Sequence, residues 1–157
     1  MDLADLTLEI DRCNCFTVRK AARRVSRLYD NLLQPTGLRI TQFLILAVLA
    51  KVPGTSVNEL AERLDLERTA MGKTLGPLER DGLIRVEPSP VDGRRRFVKL
   101  TSKGNRVFQD AVPLWRQAQQ HLAELNGTRW LAILRSSLSE IKVDRTNSCP
   151  TTDRKNR

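Results

Sequence analysis

The sequence predicts a mainly α-helical fold with a single β-hairpin, on three observations. Apolar residues recur at helical spacing through most of the chain. Ser56-Val57-Asn58-Glu59 has the form of a capping box and opens a helix near the middle. Asp92-Gly93, between two short runs rich in β-branched and apolar residues, is a hairpin turn signal. At 157 residues with 40% hydrophobic content, the chain has the length and apolar material of one domain with a modest core.

The elements follow in order. From Ile10 to about Leu33 no glycine or proline intervenes, and Val18, Ala21, Val25, Leu28 and Leu32 alternate steps of three and four, the mark of one long amphipathic helix. Its other faces are basic: Arg12, Arg19, Lys20, Arg23, Arg24 and Arg27 meet no acid before Tyr29, and Pro35 and Gly37 stop the helix. A second helix spans about Thr41 to Lys51 and ends at Pro53-Gly54. The capping box launches a short helix to Leu64, Asp65-Leu66 makes a brief turn, and a further helix runs from about Glu67 to Arg80. In that helix Met71, Leu75 and Leu78 fall inward, and Gly82 is placed to terminate it. Ile84 to Glu87 and Arg96 to Leu100 read as two strands around a loop, 88–95, with a basic tip. Thr101 or Ser102 caps a fifth helix, Gly104 to about Leu125, expected to bend at Pro113 and closed by Gly127. In a last helix, about Thr128 to Val143, Leu131, Leu134, Leu138 and Ile141 form a stripe that nothing later in the chain covers, which favours a partner subunit. From Asp144 onward the composition turns polar, and a disordered tail is expected.

Charge narrows the partner. Lysine and arginine number 27 against 18 acids, a net charge of +9, so a polyanion is the first expectation, nucleic acid before a membrane surface. The longest apolar run, Phe43 to Ala50, is eight residues, where a spanning helix needs about 20. Three cysteines, an odd number, argue against a disulfide framework. The acids Asp2, Asp5, Glu9 and Asp11 are the wrong charge for a targeting peptide, so a reducing, cytoplasmic setting is expected.

Helix, short turn, helix and hairpin is the order of a winged helix-turn-helix, which sets its second helix in the DNA major groove. The fold expected is that unit with a two-stranded wing and flanking dimerisation helices. Its boundaries are 1–40 for the first dimerisation helix and connector, 41–103 for the DNA-binding core, 104–143 for the last dimerisation helices and 144–157 for the tail. With Met71, Leu75 and Leu78 inward, Arg68, Thr69, Gly72 and Lys73 form the groove-facing side, and Gly72 and Gly76 allow close backbone approach to phosphates. At the wing, Arg94, Arg95 and Arg96 suit phosphates or a narrow minor groove, with Asp92 positioning Arg94 through a bidentate pair. Ser56 is counted with these DNA-contacting residues.

The chain resembles the MarR family of bacterial transcriptional regulators at Ser56-Val57-Asn58-Glu59-Leu60-Ala61, Leu78-Glu79-Arg80-Asp81-Gly82-Leu83, Asp92-Gly93-Arg94-Arg95 and Leu100-Thr101-Ser102-Lys103-Gly104. The resemblance implies a homodimer on a pseudo-palindromic operator, usually a repressor relieved by a small molecule or an oxidant. Pro77, inside the recognition helix, departs from the commoner pattern. Cys15-Phe16 and Tyr29 look like the reactive cysteine and one tyrosine of the organic-hydroperoxide-sensing branch, while Arg19 and Ile40 stand where that branch carries further tyrosines.

Cys15 has two readings: a small apolar residue at a core or dimer position, or a peroxide-reactive thiol beside the cations Arg12 and Arg19. Cys13 lies two residues away on another side of the expected helix, a poor geometry for a disulfide, and Cys149 falls in the tail. Arg19, Arg23 and Arg27 are candidates for an anionic effector pocket or simply a solvated face. His121 has no partners at metal-ligand spacing and reads as a surface residue; Trp115 and Trp130 read as core or dimer anchors. No phosphate loop, metal cluster or nucleophile-base pair is present, so neither an enzyme nor a cofactor is expected. The competing function is a winged helix that binds an acidic protein partner, against which the arginine-rich wing tells.

Overall fold

The computed structural model describes residues 9–88 and 95–143. The element order is α1 (Asn14–Leu33), a 3-10 turn (Gln34–Thr36), α2 (Ile40–Lys51), β1 (Thr55–Ser56), α3 (Val57–Arg63), α4 (Arg68–Arg80), β2 (Ile84–Pro88), β3 (Arg96–Leu100), α5 (Ser102–Asn126) and α6 (Thr128–Ser139). The chain divides into two compact units after His121.

In the first unit, α2 is apolar on all sides and supplies the centre of the core. Phe43, Ile45, Leu46 and Leu49 are buried there with Leu60 and Ala61 of α3, Met71, Leu75 and Leu78 of α4, and Val98 of β3. Phe43 stacks on Trp115 of α5 with ring centroids 5.7 Å apart and lies 5.3 Å from the Phe108 ring. Trp115 is therefore a core residue, as the sequence suggests. In the second unit Leu131 is buried, whereas Trp130 is 51% exposed.

Several sequence expectations change. The first helix is not continuous from Ile10: Cys13 is extended (φ −71°, ψ 115°) at the N-cap of α1, after a separate helical turn at residues 9–11. The face of α1 that enters the core carries Tyr29 and Leu33, while Val18 and Ala21 of the expected stripe are exposed. α6 ends at Ser139, four residues before the expected Val143. The wing sheet has three antiparallel strands in the order β1-β3-β2, because Thr55 and Ser56 pair with Val98 and Phe97. Two residues are too few to show a period-two pattern, so β1 is not legible as a strand from sequence. The terminal segment 144–157, with Cys149, lies outside the described residues.

The helix-turn-helix is built by local hydrogen bonding. At the start of α3, Ser56 Oγ accepts from Glu59 N (3.2 Å), and the Glu59 carboxylate accepts from Ser56 N (2.8 Å), so the capping box is formed. At its end, Leu66 N donates to Ala61 O (2.8 Å) and Asp65 N to Glu62 O (3.1 Å), a Schellman motif with Asp65 left-handed at φ 50°. α4 closes the same way: Leu83 N donates to Leu78 O and Gly82 N to Glu79 O, both 2.9 Å, with Gly82 at φ 71°. Pro77 removes the amide that would bond the Lys73 carbonyl, yet α4 continues to Arg80.

Candidate nucleic-acid interface

The candidate site is the outer face of α4 with the loop end of the wing. Met71, Leu75 and Leu78 are buried, which turns Arg68, Thr69, Gly72 and Lys73 outward, and all four are exposed. Glu67, the N-cap of α4, makes no side-chain capping bond, and residues 67–70 are all exposed. An uncapped helix N-terminus flanked by arginine and lysine suits phosphate oxygens, since unpaired amides and cations act in the same direction there. No Cβ contact stands within 4 Å of Gly72 or Gly76, so neither glycine is required by packing inside this chain.

At the wing, Arg95 and Arg96 are exposed. Asp92, Arg94 and the proposed pair between them lie outside the described residues. The wing faces differ by alternation: Ile84 and Val98 are buried, whereas Arg85 and Lys99 face each other across β2 and β3 on the exposed side. Glu87 relieves that like-charge pair, with Lys99 Nζ 2.8 Å and Arg85 Nη1 3.7 Å from its carboxylate.

Ser56 corrects the sequence reading. It is 4% exposed, and its hydroxyl is committed to Glu59 as acceptor from the amide and donor to Oε2 (2.8 Å). It shapes the entry to α3 and presents no free group to a groove. What sequence reasoning missed is how side chains join α4, wing and α5. Glu79 Oε1 accepts from Val86 N (3.0 Å), Thr101 Oγ1 donates to Gly82 O (2.7 Å) and accepts from Gly104 N (2.9 Å), and Lys103 Nζ donates to Asp81 O (2.7 Å). Thr101, rather than Ser102, is thus the cap of α5. The LER-DG and LTSKG runs carry these residues, but their mutual contacts are non-local.

Two carboxylates give the interface a pH dependence. Hydrogen bonds from the Ser56 backbone and hydroxyl, then the charges of Arg95 and Arg63, hold Glu59 below its ordinary value of 4.5. The Lys99 hydrogen bond and charge do the same to Glu87. A carboxylate whose folded pKa is depressed adds stability that is full above the ordinary value and is lost as pH falls through the folded one. Thermal midpoints followed downward from about pH 5 are expected to fall less steeply in Glu59→Gln than in the wild type. Equal slopes in the two proteins would contradict this assignment.

On α1, Cys15 occupies the first turn, and Cys13 and Cys15 are both free and exposed. The shared-helix geometry that disfavours a Cys13–Cys15 bond does not hold, since Cys13 is extended. Tyr29 is buried, and its hydroxyl donates to Gln119 Oε1 of α5. It stands on the same continuous helix as Cys15, about 21 Å along the axis at 1.5 Å per residue, so the two are not brought together within one chain. The candidate effector arginines Arg19, Arg23 and Arg27 are all exposed, and Arg27 lines a groove that Arg19 and Arg23 do not line. That groove, about 650 Å³, lies between α1 and α5 and is formed by Arg24, Arg27, Asn31, Gln117 and His121 around Leu28 and Leu32. Among the described residues no group of three or more His, Cys, Asp or Glu is placed to hold a metal ion, and no single helix is long and apolar enough to cross a membrane.

This arrangement, a buried apolar helix pair with an outward basic second helix and a basic antiparallel wing, defines a winged helix-turn-helix protein. The model of the MarR family matches residues 36–95, from the end of the 3-10 turn to the residue before β3. The DNA-complexed transcriptional regulator MosR of M. tuberculosis is 39% identical, with 81% of this chain and 92% of that one covered at a TM-score of 0.73. The repressor CouR, bound to a 23-mer duplex, is 29% identical with coverages of 83% and 93% and a TM-score of 0.74. The transcriptional regulator HosA of Escherichia coli O111:H- is 31% identical over 87 residues, 55% of this chain and 64% of HosA. The chain belongs to the MarR family, whose members are transcriptional regulators and not enzymes. It spans less than two thirds of the length of the curated relatives it matches first, 64% of HosA and 49% of the next.

Proposed function

We propose that the protein is a homodimeric, sequence-specific DNA-binding regulator that represses transcription from a pseudo-palindromic operator and is released by an effector. The observation that carries this is the exposed, uncapped and basic face of α4, together with the exposed Arg95 and Arg96 at the loop end of the wing. A net charge of +9 supports it, since cation-phosphate contacts supply much of the affinity for any duplex. The relatives MosR and CouR, seen on DNA, support it by similarity. Dimerisation is supported by apolar residues left exposed in one chain: Phe16 and Val18 on α1, and Trp130, Ile133 and Leu138 on α6.

Two features support an effector. Cys15 is an exposed thiol in the first turn of a basic helix, open to an oxidant. The groove between α1 and α5 combines two arginines and amide side chains with Leu28 and Leu32, which suits a small aromatic anion. The test is a titration of DNA from upstream of the protein's own gene with wild type and Cys15→Ser, each reduced and after cumene hydroperoxide. Peroxide is expected to abolish binding by the wild type and spare the serine variant. If both retain the DNA after peroxide, the thiol is not the sensor, and a benzoate-type anion added to the titration tests the groove. If neither variant binds the upstream DNA or any duplex better than random sequence, the regulator reading is wrong.

A further inference from the structure

We propose that Glu79 is a positioning residue for DNA binding, one that fixes the angle between the α4 recognition helix and the wing. The inference rests on the DNA-binding reading above and concerns a residue whose own charge opposes DNA. Among the described residues β2 is an edge strand, paired with β3 alone, so every second amide along it points away from the sheet. The amide of Val86, at the centre of β2, is such a group, and it donates to Glu79 Oε1 at 3.0 Å. Glu79 is in the last turn of α4, where its own carbonyl already accepts from Gly82 N in the helix-ending motif. One residue therefore closes the recognition helix through its backbone and holds the middle of the wing strand through its side chain.

The consequence is geometric. Groove-facing Arg68, Thr69, Gly72 and Lys73 lie on α4, while Arg95 and Arg96 lie at the far end of the hairpin from its junction with that helix. Between the two sets the chain passes through Asp81, Gly82 and Leu83, a turn with one residue in a left-handed conformation. A small rotation at this turn is amplified along a five-residue strand, about 17 Å at 3.3 to 3.4 Å per residue, before it reaches the wing arginines. Simultaneous contact with two grooves requires that the angle be set before binding, and an ordering cost is otherwise taken from the affinity. The Glu79–Val86 bond crosses this turn and restrains it from outside.

Charge and positioning make opposite predictions, which makes the inference testable. If Glu79 acts only as an acid near a polyanion, removing its charge strengthens DNA binding, so Glu79→Ala and Glu79→Gln bind more tightly than wild type and Glu79→Asp binds equally. If it acts by position, the acceptor and its reach matter. Glu79→Gln keeps both and binds at least as well as wild type, whereas Glu79→Ala and the shorter Glu79→Asp bind about tenfold more weakly, roughly 1.4 kcal/mol. The probe is a duplex that the wild-type protein enriches from a random-sequence library, titrated at several salt concentrations. In Ala and Asp the salt dependence is expected to become shallower as wing-phosphate contacts are lost. Amide hydrogen exchange at Val86 provides a readout without DNA: protected in wild type and Gln, fast in Ala and Asp. Equal affinities in wild type and Asp, or tighter binding by Ala, would overturn the proposal while leaving the DNA-binding reading intact. If the wild type enriches no duplex, that reading fails and the proposal fails with it. Gln and Asp alone decide between the two accounts should Ala not fold.

Discussion

Gly104→Ala is expected to unfold at markedly lower denaturant than the wild type, with a loss of about 3 kcal/mol or more. A Cβ at this position would sit 1.9 Å from the Leu83 carbonyl oxygen, 2.8 Å from its carbon and 3.0 Å from Leu100 Cδ1. The first two are backbone atoms, and they are held. Leu83 O accepts from Thr101 N at 3.1 Å, and Leu83 N donates to Leu78 O at 2.9 Å in the motif that ends α4. Relief by moving Leu83 would break the helix terminus, and relief by moving α5 would pull Thr101 from Gly82 O. Urea unfolding followed by far-ultraviolet circular dichroism measures the change. A midpoint unchanged from wild type would show that the two segments are not in this contact. By contrast, Gly72→Ala has open space around its new methyl group and is expected to stabilise the chain by up to about 1 kcal/mol.

These two glycines also show how much of the molecule is legible in its sequence. Local signals suffice for α3 and its cap, since Ser56 and Glu59 satisfy each other across three residues, and for the inward face of α4, which follows from the spacing of Met71, Leu75 and Leu78. The exposure of Arg68, Thr69, Gly72 and Lys73 follows from the same spacing. What sequence reading misses depends on distant chain meeting chain. Gly104 reads as an ordinary residue near a helix start, because its meaning is the Leu83 carbonyl twenty-one positions earlier. Glu79 reads as one acid in a polar helix end until the β2 amide that it holds is placed beside it. Ser56 is read from sequence both as the cap of α3 and as a groove contact, and its burial and its bonds to Glu59 leave only the first role. The long first helix fails for another reason: without glycine or proline nothing local announces the break at Cys13, where the backbone turns extended and Thr17 Oγ1 donates to Cys13 O at 3.1 Å.

The second large effect is expected on DNA rather than on folding. The double variant Arg68→Ala/Lys73→Ala should bind a wild-type-selected duplex about a hundredfold more weakly, with the slope of log affinity against log salt shallower by about two. Both side chains are exposed on the face of α4 opposite Met71, Leu75 and Leu78, so removing them costs the core nothing and the thermal midpoint should stay within about a degree or two of wild type. The comparison is Arg19→Ala/Arg23→Ala on α1, which removes the same formal charge from exposed positions. If affinity depends only on the net charge of +9, the two double variants weaken binding alike. If it depends on where the cations stand, the α1 variant retains nearly wild-type affinity and slope, because a charge more than a Debye length, about 10 Å at 0.1 M salt, from the phosphates is largely screened. Equal losses from the two helices would move the DNA-contacting surface away from α4. A hundredfold loss confined to Arg68 and Lys73 would place the recognition surface on the face that the burial of Met71, Leu75 and Leu78 turns outward.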